Sequence, residues 1–224
     1  MNKRFILIAV FLLIIKFSNA QTSAGSQTLG LYLGFSSNTY TNIPVGADAA
    51  NGPAFTGKNS NFSFGPSYSY FVANDLDIGA SIGLGSSTET NADNNFGYPL
   101  KYTNYQASGM LYARKYFLLK SKFGIRTGPY VAYSKSTANG YYVPAENIDN
   151  SHSDSRDFTA GIKFELVYYP SPKLGISANL ASLQYEHSTS TGGFQLNQSS
   201  NGFSFNGATS GLLLSVFYVF GGKG

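Results

Sequence analysis

Beyond residue 20, apolar and polar side chains alternate with period two through most of the chain. At residues 28–37, Leu29, Leu31, Leu33 and Phe35 alternate with Gly30, Tyr32, Gly34 and Ser36, the pattern of a strand with one oily face and one small or polar face. A second strand at 59–72 sets Phe62, Phe64, Tyr68, Tyr70 and Val72 against Ser63, Gly65, Ser67 and Ser69. After a tight turn at 73–75, a third sets Leu76, Ile78, Ala80, Ile82 and Leu84 against Asp77, Gly79, Ser81, Gly83 and Gly85. A fourth is predicted at 102–117, a fifth at 122–136 and a sixth with Phe158, Ala160, Ile162, Phe164, Leu166 and Tyr168 on an unbroken apolar face. The seventh, 173–187, loses phase near Ser182, where a bulge would return Leu183 and Tyr185 to the oily side. The eighth, 203–220, needs a phase change between Phe203 and Phe205 on one side and Leu212, Leu214, Val216, Tyr218 and Phe220 on the other.

The connections are unequal in a regular way. Those at 38–58, 86–101, 136–155 and 188–202 are long and polar, whereas those at 73–75, 118–121 and 169–173 are tight. Long loops on one side and short turns on the other mark an outer-membrane barrel, in which the long loops are extracellular. The expected fold is all-β, an eight-stranded antiparallel up-and-down transmembrane barrel with both termini periplasmic. Two internal prolines, Pro66 and Pro129, run against it, because proline removes a ladder donor and a closed barrel has no edge. A bulge or an outer-rim position would accommodate each.

The amino-terminal segment changes how charge is read. Lys3 and Arg4 precede a continuous apolar run from Phe5 to Ile15, too short to span a bilayer as a helix, and Ser18, Asn19 and Ala20 supply a small-x-small cleavage site. Residues 1–20 are expected to be a signal peptide and 21–224 the barrel domain. The whole chain carries 15 Lys and Arg against 11 acids, with a pI of about 9.1, but Lys3, Arg4 and Lys16 leave with the leader. The remainder is near neutral, which removes nucleic acid as a partner. Charged residues make up 12% of the chain and aromatics 16%, against roughly 25% charged in soluble domains. With no cysteine, disulfides, thiolate metal sites and a lipidated amino-terminal cysteine are excluded.

The Gly-alternating inner faces, the run "YARKYF" at 112–117, "KLGISANLASLQYEH" at 173–187 and the closing "LLLSVFYVF" resemble the OmpA/OmpX-like outer-membrane β-barrel family. That resemblance covers the chain after the leader. It implies residence in the outer membrane of a Gram-negative bacterium, contact with outer-membrane lipids, and assembly by the barrel-assembly machinery, with Tyr218 and Phe220 as the paired aromatics of the assembly signal. Ser215 stands where that signal prefers Gly, and residues 221–224 extend past the terminal aromatic. No globular domain is expected after the last strand, so the peptidoglycan-binding role of some relatives is not implied.

Four inward charges, Asp77, Arg114, Arg126 and Glu165, fall near the periplasmic ends of their strands and are expected to meet in the lower lumen. A barrel of eight strands is just wide enough for its own side chains to fill it, so paired ions there would plug it. The histidines carry less. His187 with Ser188 resembles a lipid A deacylase site, but Thr189 occupies the position two after the histidine, no acid follows, and Glu186 points to the opposite face. His152 lies among Asp149, Asp154 and Asp157 without a metal-loop spacing. No catalytic residue, metal or cofactor is expected. The expected role is structural or surface interaction through the four outer loops, with a surface ligand as partner. The alternatives are a narrow-pore transporter or ligand carrier and, behind it, a lipid A-modifying enzyme.

Overall fold

The computed structural model describes residues 22–42, 55–91, 99–119, 122–142, 149–192, 198–207 and 212–221. The leader expected at residues 1–20 lies outside the described residues. Among the described residues there are nine antiparallel strands: β1 (Ser26–Asn42), β2 (Phe55–Ala73), β3 (Leu76–Asn91), β4 (Pro99–Leu119), β5 (Phe123–Tyr142), β6 (Asp149–Ser171), β7 (Leu174–Gly192), β8 (Gln198–Gly207) and β9 (Leu212–Gly221). Each of β1 to β7 pairs with the next in sequence, and β9 pairs with both β7 and β1, which closes the ring. Both β8 and β9 pair with β7, so the two segments share one place and the ring has eight positions.

The split in the eighth position is where the phase change was expected. Gly207 faces Ala181, whereas Leu214 faces Ala178. Three steps along β7 thus match seven along the partner, and four additional residues enter between β8 and β9. Phe203 and Phe205 on one segment and Leu214, Val216, Tyr218 and Phe220 on the other consequently all face outward. The bulge in β7 is also present. Phe164 faces Ala181 and Glu165 faces Asn179, so the additional residue is Leu180, two positions before Ser182.

Outward side chains define the membrane belt. On β6 the apolar face runs from Phe158 to Tyr168, a length of roughly 33 Å at strand rise, which a tilt of about 40° reduces to roughly 25 Å, the height of an outer-membrane apolar band. Tyr68, Tyr70, Tyr168 and Tyr218 lie exposed at its lower rim. An upper aromatic rim is formed by Phe35, Phe62, Tyr105, Tyr133, Phe158 and Phe203, all exposed. Cross-strand register brings Phe35 opposite Phe62 and Tyr133 opposite Phe158.

The strands do not stop at that rim, and here the loop boundaries need correction. Much of 38–58, 86–101, 136–155 and 188–202, expected as loop, is ladder: β1 runs to Asn42, β5 to Tyr142 and β7 to Gly192. Hydrophobic alternation ends at the bilayer surface, but backbone pairing continues wherever polar cross-strand rungs support it. Ser136 and Ser155 share a hydrogen bond of 2.6 Å, and Thr137 donates to Asp154 at 2.6 Å, holding that carboxyl below its usual pKa. Tyr40 donates to Glu89, and this bond pushes the phenol up to about 12.

Neither proline sits at a bulge or a rim. The β2–β3 ladder passes from Phe64/Leu84 to Ser67/Ser81, and the β4–β5 ladder from Tyr112/Tyr130 to Lys115/Thr127, with register unchanged across each gap. Pro66 and Pro129 lie in those gaps, where no donor is required, and each still pairs on its other side, with Leu31 and Ile162. Each follows a glycine. A Cβ on Gly65 would fall on the carbonyl oxygen of Ile82, and one on Gly128 on that of Ala113. Gly128→Ala is therefore expected to destabilise the barrel by about 1–3 kcal/mol through backbone displacement. Gly109→Ala, with nothing within 4 Å of its Cβ, should leave it unchanged. Thermal unfolding in detergent, followed by the heat-dependent gel shift, measures the difference.

Candidate functional site: a charged belt in the lower lumen

The inward residues at the end of the ring where β1 begins and β9 ends are built in two layers. The lower is apolar: Phe71, Tyr116, Val167, Tyr169, Phe217 and Val219 form one buried cluster, with the rings of Tyr169 and Phe217 edge to face at 5.6 Å. Just above it lie all four of the charges singled out in the sequence. Asp77 and Arg114 are register partners on β3 and β4, and Arg126 and Glu165 on β5 and β6.

Both arginines bind their carboxylates through two nitrogens. Arg114 donates from Nε to Asp77 Oδ1 at 3.0 Å and from Nη2 to Oδ2 at 2.6 Å. Arg126 donates from Nε to Glu165 Oε2 at 2.8 Å and from Nη2 to Oε1 at 3.2 Å. This fork geometry is the strongest form of the ion pair. A contact of 3.8 Å between Arg114 and Glu165 joins the two pairs. Tyr116 joins them a second time, donating to Asp77 at 3.0 Å and accepting from Arg126 at 3.2 Å.

Small hydroxyls carry the network around the wall. Ser69 donates to Asp77 at 2.7 Å and shares a 2.7 Å bond with Thr28, while Arg126 donates to Ser177 at 2.7 Å. The Arg126 guanidinium also lies 5.1 Å from the centre of the Phe217 ring, within cation–π range. β1 (Thr28), β2 (Ser69), β3 (Asp77), β4 (Arg114, Tyr116), β5 (Arg126), β6 (Glu165), β7 (Ser177) and β9 (Phe217) each supply a member. The belt therefore touches all eight positions of the ring. Asp77 is wholly buried and Arg126 and Glu165 nearly so, a situation in which charges persist only when paired and hydrogen-bonded.

Tyr116, Ser69, Ser177 and Thr28 were not singled out from the sequence. Tyr116 had a signal, since it lies two residues beyond Arg114 and so on the same face. The apolar floor had one too, because alternation gives way to continuous apolar runs at "YFVA" (70–73) and "SVFYVF" (215–220). The small hydroxyls had none, being common at inward positions throughout.

Above the belt the lumen opens into a cavity of about 330 Å³, with Arg114, Arg126 and Glu165 at its base and Tyr32, Tyr112, Tyr130, Gln106, Lys163 and Gln184 among its walls. The histidines are elsewhere. His187 pairs with Asn201 at 2.6 Å, whereas Ser188, on the opposite face of β7, donates to Asp157 at 2.6 Å. His152 is exposed, bonded to Asn139 at 3.0 Å and 3.9 Å from Asp154. Among the described residues, no group of three or more His, Cys, Asp or Glu is placed to hold a metal ion. Tyr218 and Phe220 stack on the outer face with ring centres 6.5 Å apart.

Among solved structures the chain is similar to several outer-membrane proteins, and the likeness is loose. Ail, the attachment invasion locus protein of Yersinia pestis, solved with a heparin analogue, is 14% identical, with 88% of this chain and 99% of that one covered and a TM-score of 0.38. The amino-terminal barrel of Pseudomonas aeruginosa OprF is also 14% identical, covering 88% of this chain and 98% of its own, with a TM-score of 0.28. A major outer membrane protein of Thermus thermophilus is 13% identical over 87% of this chain and 99% of its own, with a TM-score of 0.41. A search of curated proteins gives no match. Residues 19–188, however, fit the family described as outer membrane protein beta-barrel domain. With that match spanning most of the ring and the strands closing as they do, the chain belongs to the outer membrane β-barrel family, which points to the bacterial outer membrane.

Proposed function

We propose that this protein is a non-conducting, non-enzymatic barrel whose role is exercised by the polar rim and loops it presents outside the cell. The belt carries the reading. An ion network that draws on every position of the ring, resting on a packed aromatic floor, fills the lower lumen instead of lining a path through it. What is left for interaction is the outer extension, where β1 to β8 rise past the aromatic rim as a hydrogen-bonded polar ladder. A rim of Ser, Thr, Asn and Tyr side chains suits a surface ligand or another envelope component. Tyr218 and Phe220, stacked on the lipid face beside the closing ladder, are disposed to serve the assembly machinery.

In this orientation the turns between β2 and β3 and between β6 and β7, and both ends of the chain, face the periplasm. The absence of native cysteine makes this directly measurable. His152→Cys and Asn201→Cys, exposed above the rim, should react with an impermeant maleimide on intact cells. Asn74→Cys, exposed in the first tight turn, should react only after the outer membrane is breached. The reverse pattern would overturn the orientation and with it the surface role.

A further inference from the structure

Charge is sorted by face where the strands rise past the upper aromatic rim. Among the described residues there, the carboxylates Glu89, Asp157 and Glu186 occupy inward positions at the mouth of the lumen. The cations Lys58, Lys101, Lys135 and Arg156 all lie exposed on the outer wall, with Asp154 the one carboxylate among them. Register fixes these faces on β5 and β6. Tyr133 and Phe158 point outward, Ser134 donates inward to Asp157 at 3.1 Å, and the next pair, Lys135 and Arg156, returns to the outside.

Successive outward rungs join β5 to β6 from the rim upward, and all but one are matched. Tyr133 faces Phe158, Thr137 donates to Asp154 at 2.6 Å, and Asn139 bonds to His152 at 3.0 Å. The rung between the aromatic pair and the Thr137–Asp154 bond sets Lys135 directly against Arg156. Like charges directly opposite across a strand pair are destabilising. No described carboxylate lies within 4.0 Å of either cation, and Asp154, one rung above, is engaged by Thr137 and lies 3.9 Å from His152. Ala107 on β4 and Thr189 on β7 flank the rung, so no charged side chain closes it from either side. It stands two residues above the rim, roughly 7 Å along the strand and about 5 Å along the membrane normal, within the polar headgroup layer.

We propose that Lys135 and Arg156 clamp the phosphomonoester of an outer-leaflet lipid, whose acyl chains lie down the wall over Tyr133, Phe158, Val131 and Ile162, all exposed. A phosphomonoester brings close to two negative charges and three acceptor oxygens, which match one cation each. The Arg156 guanidinium suits two of those oxygens as a fork, and the Lys135 ammonium the third as a point charge. A phosphodiester brings one charge and leaves the rung half neutralised. The choice of leaflet rests on the orientation proposed above, whereas the clamp does not, so cysteine labelling and lipid selectivity fail separately.

The sequence has no tryptophan, so Phe158→Trp, one rung below the pair, supplies a lone fluorophore. Phe35→Trp, at the same rim on β1, reports from the far side of the ring. In phosphatidylcholine bilayers, brominated phosphatidic acid should quench Phe158→Trp with an affinity about fivefold or more above brominated phosphatidylcholine, the factor one cation contributes at a membrane surface. Brominated phosphatidylglycerol, a diester, should fall well below that, as should phosphatidic acid at Phe35→Trp. Adding Lys135→Gln and Arg156→Gln together should remove the preference, while Lys58→Gln should keep it. The gel shift on heating verifies that each variant is folded. In lipid-free zwitterionic detergent the paired Gln variant should unfold no earlier than wild type, since a like-charge contact is relieved. Equal preference for the two acidic lipids, equal quenching at Phe35→Trp, or a preference that survives the paired variant would overturn the proposal. Earlier unfolding of the paired variant would overturn it too, because the cations would then brace the ladder. Competition by inorganic phosphate would make the occupant a free anion and overturn the lipid.

Discussion

Replacing Arg126 with alanine is expected to cost the folded barrel about 3–5 kcal/mol, because it leaves Glu165 buried with its two closest charged hydrogen bonds gone. The same change strips donors from Tyr116 and Ser177, so the damage spreads along the belt. Because the loss comes from the stranded carboxylate, removing that partner as well repairs much of it. Arg126→Met combined with Glu165→Met should recover most of the single-variant deficit, since an apolar pair of similar volume often equals a buried ion pair in stability. Equilibrium unfolding in detergent measures both. Equal losses in the single and double variants would mean that Arg126 acts through packing on Phe217 and not through its charge.

Tyr116 should show the next largest effect, and two substitutions divide its contributions. Its ring lies 5.3 Å from Phe71 in the floor and its hydroxyl bridges Asp77 and Arg126. Tyr116→Phe removes only the bridge and should cost about 1.5–3 kcal/mol, the range for hydrogen bonds to charged groups. Tyr116→Ala also opens a cavity in the floor and should cost about 3–5 kcal/mol, as for other buried aromatics. The same unfolding measurement checks both. Should Tyr116→Phe match wild type, the two ion pairs are independent and the belt is not one network.

How far the sequence could be read depended on what each side chain faces. Strand positions and faces were legible because lipid demands an unbroken apolar surface, which left Phe158 to Tyr168 plain in the text. The β7 bulge and the phase change in the eighth strand were legible for the same reason, since both shift residues between lipid and lumen. Strand ends were not. Above the bilayer neither face is apolar, so the ladder through Thr137 and Asp154 looks like loop in composition alone. Pro66 and Pro129 count against a closed barrel when read from sequence unless each sits at a bulge or the outer rim, yet a gap on one side of each strand absorbs them with no change of register. In the site, charge made Asp77, Arg114, Arg126 and Glu165 visible, and Tyr116 shared their parity. Thr28, Ser69 and Ser177 are inward hydroxyls among many, and only register shows which of them meet the belt.

Ion flow shows whether belt and floor shut the lower lumen. Wild-type protein reconstituted in planar bilayers should give no discrete conductance steps above the bare membrane. Arg126→Ala combined with Phe217→Ala, which removes one member of the belt and one of the floor, should begin to conduct. Stable single-channel steps from the wild-type barrel would mean that the lower lumen is open.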